Sequence, residues 1–160
     1  QVARYVGALL NGGKLIKPSL LLDEPPEIQG VLPLSDEHRR FLVETMVDTV
    51  QGGTARRLLR PDARMGGKTG TAQVVKLINP DQRRKTADMP YKYRDHAWLA
   101  SFGEKDGKRY VVIVLVEHGG HGGEVAGPKV KAVFDHLFGP APGKAAVQAD
   151  PVVHQLEAGD

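Results

Sequence analysis

The chain has 160 residues, no cysteine, and a formal net charge of +3 with a sequence pI near 9.2. That length suits one domain with a real core, and so mild a basic excess does not argue for nucleic acid. Lack of cysteine excludes a disulfide framework, a thiolate metal site and a cysteine nucleophile, and no apolar run reaches the length of a membrane span. Gln1 opens no signal peptide, so the chain is expected to be soluble or a piece of something whose targeting segment lies elsewhere.

Residues 1–60 read as mostly helical. Val2, Tyr5, Val6 and Leu9 share one helix face, and Asn11-Gly12-Gly13 stops that helix. Residues 14–34, with Pro18, Pro25, Pro26 and Pro33, read as extended or irregular. A second helix is expected from Ser35, an N-cap followed by Asp36 and Glu37 at the positive end of the helix dipole. Val43, Met46, Val47 and Val50 form its buried stripe, and Gly52-Gly53 ends it.

Residues 61–118 read as strands at Thr69–Leu77, His96–Phe102 and Arg109–His118. The run Tyr110–Val116 is apolar without alternation, which predicts a central strand buried on both faces. Glu104–Lys108 reads as a short hairpin connection, and Asn79–Asp95 as an exposed loop. A Gly-rich turn then leads into a last helix, with Pro128 at its first position and Val130, Val133, Phe134 and Leu137 on its buried face. Residues 139–160 shift to Ala, Pro, Gly and acidic residues and read as a poorly ordered tail. The element order predicts an α+β fold: three antiparallel strands with packed helices.

The most distinctive run is Gly66-Gly67-Lys68-Thr69-Gly70-Thr71-Ala72-Gln73. As a phosphate loop it fails, because Asp62 stands where the first Gly belongs and β-type sequence follows instead of a helix. It reads either as a Gly-containing turn before a strand or as a strand lining an active site. In the second reading Lys68 supplies positive charge, Thr69 and Thr71 supply hydroxyl donors, and Gly70 lets a ligand approach the backbone. The Thr71 amide is then placed to stabilise an oxyanion, which suits an acyl substrate bearing a carboxylate.

Lys68-Thr69-Gly70 resembles the third signature of the penicillin-binding proteins and serine β-lactamases. Gly52-Gly53-Thr54-Ala55 precedes it, Thr71-Ala72-Gln73 follows it, and Asp95-His96-Ala97-Trp98 opens the next strand. Glu117-His118-Gly119-Gly120 leads into the closing helix. In this order residues 1–138 are similar to the C-terminal half of the transpeptidase domain of class B penicillin-binding proteins, most like the cell-elongation branch. The resemblance implies a serine-type D,D-transpeptidase that crosslinks peptidoglycan stem peptides, is acylated by β-lactams and needs no cofactor. Its site implies Lys68 for proton movement and carboxylate attraction, Thr69 and Thr71 for carboxylate binding, and the Thr71 amide for the oxyanion hole. Gly70 belongs to the same substrate-binding strand.

The family's nucleophile comes from a Ser-x-x-Lys motif, with a Ser-x-Asn motif beside it. The chain's serines are Ser19, Ser35 and Ser101, and none stands in either pattern. The acylation machinery is therefore expected upstream of Gln1 or in another chain. The family also pairs the strand matching Tyr110–Val116 with one from its N-terminal half, so another polypeptide is expected along that edge. The resemblance further implies elongation-machinery partners and a parent protein on the periplasmic face of the inner membrane, held by an N-terminal helix. The alternative is a non-catalytic module of the same fold that binds a peptide or a protein.

Other candidates carry less. His118 and His121 are either a metal pair or part of a flexible connection that holds neither; the donor set is thin for a metal, with Glu117 and Glu124 the only carboxylates near in sequence. Arg83-Arg84-Lys85 reads as a solvated loop, without the aromatic interleaving of a base-binding surface. Tyr91 and Tyr93, beside Lys92 and Arg94, read equally as a partner surface or as packing. Trp98 reads as core, and Ser101 lacks a partner that would make it a nucleophile.

Overall fold

The computed structural model describes residues 1–21, 23–75 and 89–142. Helix α1 (Val2–Leu10) is followed by a small antiparallel ribbon of β1 (Lys14–Ile16) and β2 (Ile28–Val31), then by helix α2 (Asp36–Gln51) and a 3-10 turn at Arg56–Leu58. Strands β3 (Arg64–Ala72), β4 (His96–Lys105) and β5 (Lys108–Val116) form an antiparallel sheet in the order β3-β4-β5, and helix α3 (Gly122–Phe138) closes the fold.

Local chemistry explains most boundaries. Ser35 caps α2, its hydroxyl accepting the His38 amide at 3.2 Å, and Gly52 ends that helix. Between β4 and β5 the chain reverses in two residues. Lys105 pairs with Lys108, and Asp106 and Gly107 both take positive φ (50° and 74°), as a type I′ turn demands.

Successive residues of a strand point to opposite faces, and here each face has its own helices. Met65 and Leu99 point to α3 and the 3-10 turn, packing with Leu58, Val130 and Phe134. Phe102 points the other way, towards α1 and α2, with Val6, Leu9 and Val43. The sheet thus lies between two helical layers, and α2 serves both, with Val43 in one cluster and Val50 in the other.

Five expectations need correction. The first strand runs Arg64–Ala72, not Thr69–Leu77; its glycines belong to the ladder because Phe102 fills the space a side chain on Gly66 would need. β4, not β5, is the central strand. The unalternating run of β5 reflects helices packed against both of its faces, and its residues are half-buried or exposed rather than buried. Pro128 lies inside α3, which starts at Gly122, because the preceding glycines are helical and pressed against the sheet. The stripe of α2 buries fully only at Val43 and Val50. The extended reading of residues 14–34 agrees with the β1-β2 ribbon. The 79–95 loop is described only from residue 89, where Tyr91–Tyr93 makes a 3-10 turn. Residues 76–88, with Arg83, Arg84 and Lys85, and residues 143–160 of the expected tail lie outside the described residues.

Candidate functional site

The Lys68–Thr71 run sits on β3, an outer strand of the sheet, with β4 on one side and no strand on the other among the described residues. Lys68, Thr69, Gly70 and Thr71 stand opposite Ala100, Leu99, Trp98 and Ala97. Strand alternation divides them: Thr69 and Thr71 share the face of Met65, towards α3, and Lys68 takes the other. The Lys68 ammonium donates to the Thr69 carbonyl at 2.6 Å, which keeps it against the strand's own backbone. Lys68 also lines a groove of about 540 Å³ between α1, α2 and the sheet, with Val2, Tyr5, Met46 and Ala100 among its other walls.

Two helices fix this strand. From α2, the Thr49 hydroxyl reaches the Gly67 carbonyl. Just beyond α2, the Thr54 hydroxyl lies 2.7 Å from the Thr69 hydroxyl. From the far side the first turn of α3 presses on the strand. A Cβ on Gly122 would stand 2.2 Å from the Trp98 oxygen and 2.5 Å from the Gly70 oxygen, so only glycine fits there. A Cβ on Gly123 would stand 2.5 Å from the Thr54 oxygen. No local sequence pattern marks Thr49, Gly122 or Gly123 as part of the site. Only Thr54 left a trace, inside the Gly52–Ala55 run, since neither threonine neighbours its strand partner along the chain.

At the end of β3 lies an aromatic cluster. The His118 ring centroid is 4.8 Å from that of Tyr91 and 4.7 Å from that of His96. The His118 amide donates to His96 Nδ1 at 2.9 Å, and His118 Nδ1 lies 3.0 Å from the Arg94 carbonyl. Accepting an amide fixes Nδ1 of neutral His96 without a proton, so the proton of that ring is on Nε2. His118 is therefore held, contrary to the flexible connection expected there, and its partner is His96 rather than His121, which stands at the N-cap position of α3 without a side-chain capping bond. Among the described residues no cluster of three metal-ligating side chains forms. Tyr91 and Tyr93 are exposed on the 3-10 turn, with the Lys92 ammonium over the Tyr93 ring at 4.9 Å. Trp98 is half-buried opposite Gly70.

Each serine has other work. Ser35 caps α2, Ser101 is fully buried and donates to the Val112 carbonyl at 2.6 Å, and Ser19 bonds the Glu24 carboxylate at 2.7 Å. The arrangement is an outer strand that offers a cation on one face and hydroxyls on the other, with no free nucleophile among the described serines.

Comparison with known proteins gives the family. Residues 1–135 match the family model described as the penicillin binding protein transpeptidase domain. The chain is similar to the peptidoglycan D,D-transpeptidase MrdA of Haemophilus influenzae, at 28% identity over 86% of this chain and 23% of the relative. It is also similar to MrdA of Acinetobacter baumannii, at 36% identity over 64% of this chain and 15% of the relative. It therefore spans a quarter or less of the curated relatives it matches. Among solved structures, Pseudomonas aeruginosa PBP2 superposes with a TM-score of 0.65 at 29% identity, over 94% of this chain and 31% of that one. PBP2 from Helicobacter pylori, in its complex with MreC, gives 0.62 at 29% identity, over 87% of this chain and 24% of that one. With its match over residues 1–135, the chain belongs to the penicillin-binding-protein transpeptidase family.

Proposed function

We propose that residues 1–138 are the C-terminal part of a peptidoglycan D,D-transpeptidase domain and supply the substrate-binding wall of its active site. The observation that carries this reading is the outer-strand position of Lys68–Thr71, whose second edge has no strand among the described residues and suits an extended peptide. An acyl donor peptide with a terminal carboxylate fits the chemistry. The Lys68 ammonium attracts the anion, the Thr69 and Thr71 hydroxyls donate to it, and the Thr71 amide serves the oxyanion of the scissile carbonyl. The serine nucleophile and its base come from chain outside these residues, because Ser19, Ser35 and Ser101 are engaged elsewhere. The same missing part, or another chain, lies along the open edge of β5.

The parent protein then works on the periplasmic face of the inner membrane, held by a helix these residues do not include. The family suits stem peptides and β-lactams as ligands, and the Helicobacter pylori complex of PBP2 with MreC supports elongation-machinery partners. The test is labelled penicillin. The parent protein is expected to be acylated, Lys68→Ala to slow acylation by on the order of 100-fold, and the 160-residue chain alone to stay unlabelled. Label on the isolated chain, or a parent indifferent to Lys68→Ala, would sink the reading. A folded parent that no penicillin labels would favour a non-catalytic binding module.

A further inference from the structure

We infer that Thr54 is a positioning residue for the carboxylate site: it sets the Thr69 hydroxyl so that the Thr69 proton points to the substrate. This inference rests on the function proposed above. Thr69 carries one methyl and one hydroxyl on the same carbon, and the fold holds both. The methyl faces the first turn of α3, where a Cβ on Gly123 would stand 3.5 Å from it. The hydroxyl is held at 2.7 Å by Thr54. Turning the Thr69 side chain to another staggered position breaks one contact or the other.

The direction of the bond follows from the ligand. A hydroxyl has one proton to give and two lone pairs to receive with. An ionised carboxylate only accepts, so Thr69 must spend its proton on the substrate. Thr54 must then donate to Thr69. The result is a short chain, Thr54 hydroxyl to Thr69 hydroxyl to carboxylate, in which each bond polarises the next. Without the Thr54 proton, Thr69 still reaches the substrate but from an unsupported rotamer.

The backbone around Thr54 suits this role. The Ala55 amide donates to the Thr49 carbonyl at 3.0 Å and the Arg56 amide to the Gly53 carbonyl at 3.2 Å, which closes the turn on both sides of Thr54. A side chain at Gly53 would stand 2.9 Å from the Thr49 Cα, so the turn needs glycine there. The carbonyl of Thr54 meets Gly123, and its hydroxyl has Thr69 as its partner. Helix α2, strand β3 and helix α3 therefore converge on one hydroxyl pair.

The experiment uses the full-length parent, with Thr54→Val and Thr54→Ser. Each is acylated with a labelled penicillin and with the methyl ester of the same penicillin, and the ratio of the two acylation rates is the readout. The ratio does not depend on the folded fraction, so a destabilised variant still answers. Thr54→Val is expected to lower the ratio of free-acid to ester rate about tenfold, the loss of roughly one hydrogen bond to a charged group. Thr54→Ser is expected to restore the ratio. Equal losses with acid and ester, or a Thr54→Ser ratio no better than that of Thr54→Val, overturn the inference alone. A folded, unmodified parent that neither compound acylates overturns the proposed function, and this inference with it.

Discussion

Phe102 is completely buried, and Gly66 stands directly opposite it in the β3-β4 ladder. A Cβ on Gly66 would fall 2.2 Å from the ring edge, so the ring occupies the room that a side chain on β3 would need. The Arg64 guanidinium lies over the same ring at 5.8 Å. Alanine at Gly66 would gain about 0.5–1 kcal/mol of strand preference. It would also force the ring out of place, a strain of about 1–3 kcal/mol that outweighs the gain. Gly66→Ala is therefore expected to destabilise the chain, and Phe102→Leu in the same molecule to recover part of the loss. Urea unfolding of the two single variants and the double one measures this, and additive losses would contradict it. At this scale legibility follows distance along the chain. Ser35 was readable as a cap because its partner is three residues away. The Thr54–Thr69 pair spans 15 positions and the Gly66–Phe102 fit spans two strands, and neither leaves a local pattern.

Helix α3 shows what an element needs at each end. Periodicity placed its apolar stripe in part: Val130 and Phe134 are fully buried, but Val133 is 41% exposed. Its start was hidden because two glycines and an interior proline are poor helix formers. Only the close approach to Trp98 and Gly70 explains them. Its far end is held by charge. Arg60, whose side chain is 1% exposed, donates to the Gly139 carbonyl at 2.9 Å and pairs with Asp62 and Asp135 at 2.9 and 2.8 Å. Lys105 pairs with the same Asp62 at 2.7 Å and donates to the Phe138 carbonyl at 3.1 Å. The clasp ties the lead into β3, the end of β4 and the end of α3 together. Bonds from Arg60 first, and then Lys105, hold the Asp62 carboxyl well below its ordinary value of 3.8. A carboxylate whose pKa is lowered by folding stabilises the fold fully above its unfolded pKa, and the contribution is lost as pH falls below it. The chain is therefore expected to lose stability progressively below about pH 4. Asp62→Asn is expected to be less stable at neutral pH and to lose less on acidification. Urea midpoints at pH 7 and pH 3 measure both differences, and an acid limb of equal steepness in the two proteins would contradict the assignment.

The order of the strands is a property of the whole molecule. Tyr110–Val116 carries no charged residue, and both helical layers pack against it, so its sequence looks like that of a central strand. Side chains report what lies above and below a strand; the neighbour along the hydrogen-bonding direction is met by backbone alone, and among the described residues β5 has that neighbour on one side only. The family and the three antiparallel strands were thus legible in the sequence, while the position of β5 at an edge was not. An edge of this kind, long and apolar with its only cations, Lys108 and Arg109, at the hairpin end, invites another strand. In the parent protein the proposed remainder of the domain takes that place. In the 160-residue chain alone no strand among the described residues does, and self-association through β5 is expected at micromolar concentration and above. Leu115, 44% exposed, is the position where a charge disturbs packing least. Leu115→Lys is expected to leave the unfolding midpoint almost unchanged and to shift the chain towards monomer in sedimentation velocity. Hydrogen exchange adds a second measure: β4 amides should be slow throughout, and β5 amides on the outer side fast in the monomer and slow in the associated form. A chain that stays monomeric with β5 protected as evenly as β4 would mean that something within it already covers the edge.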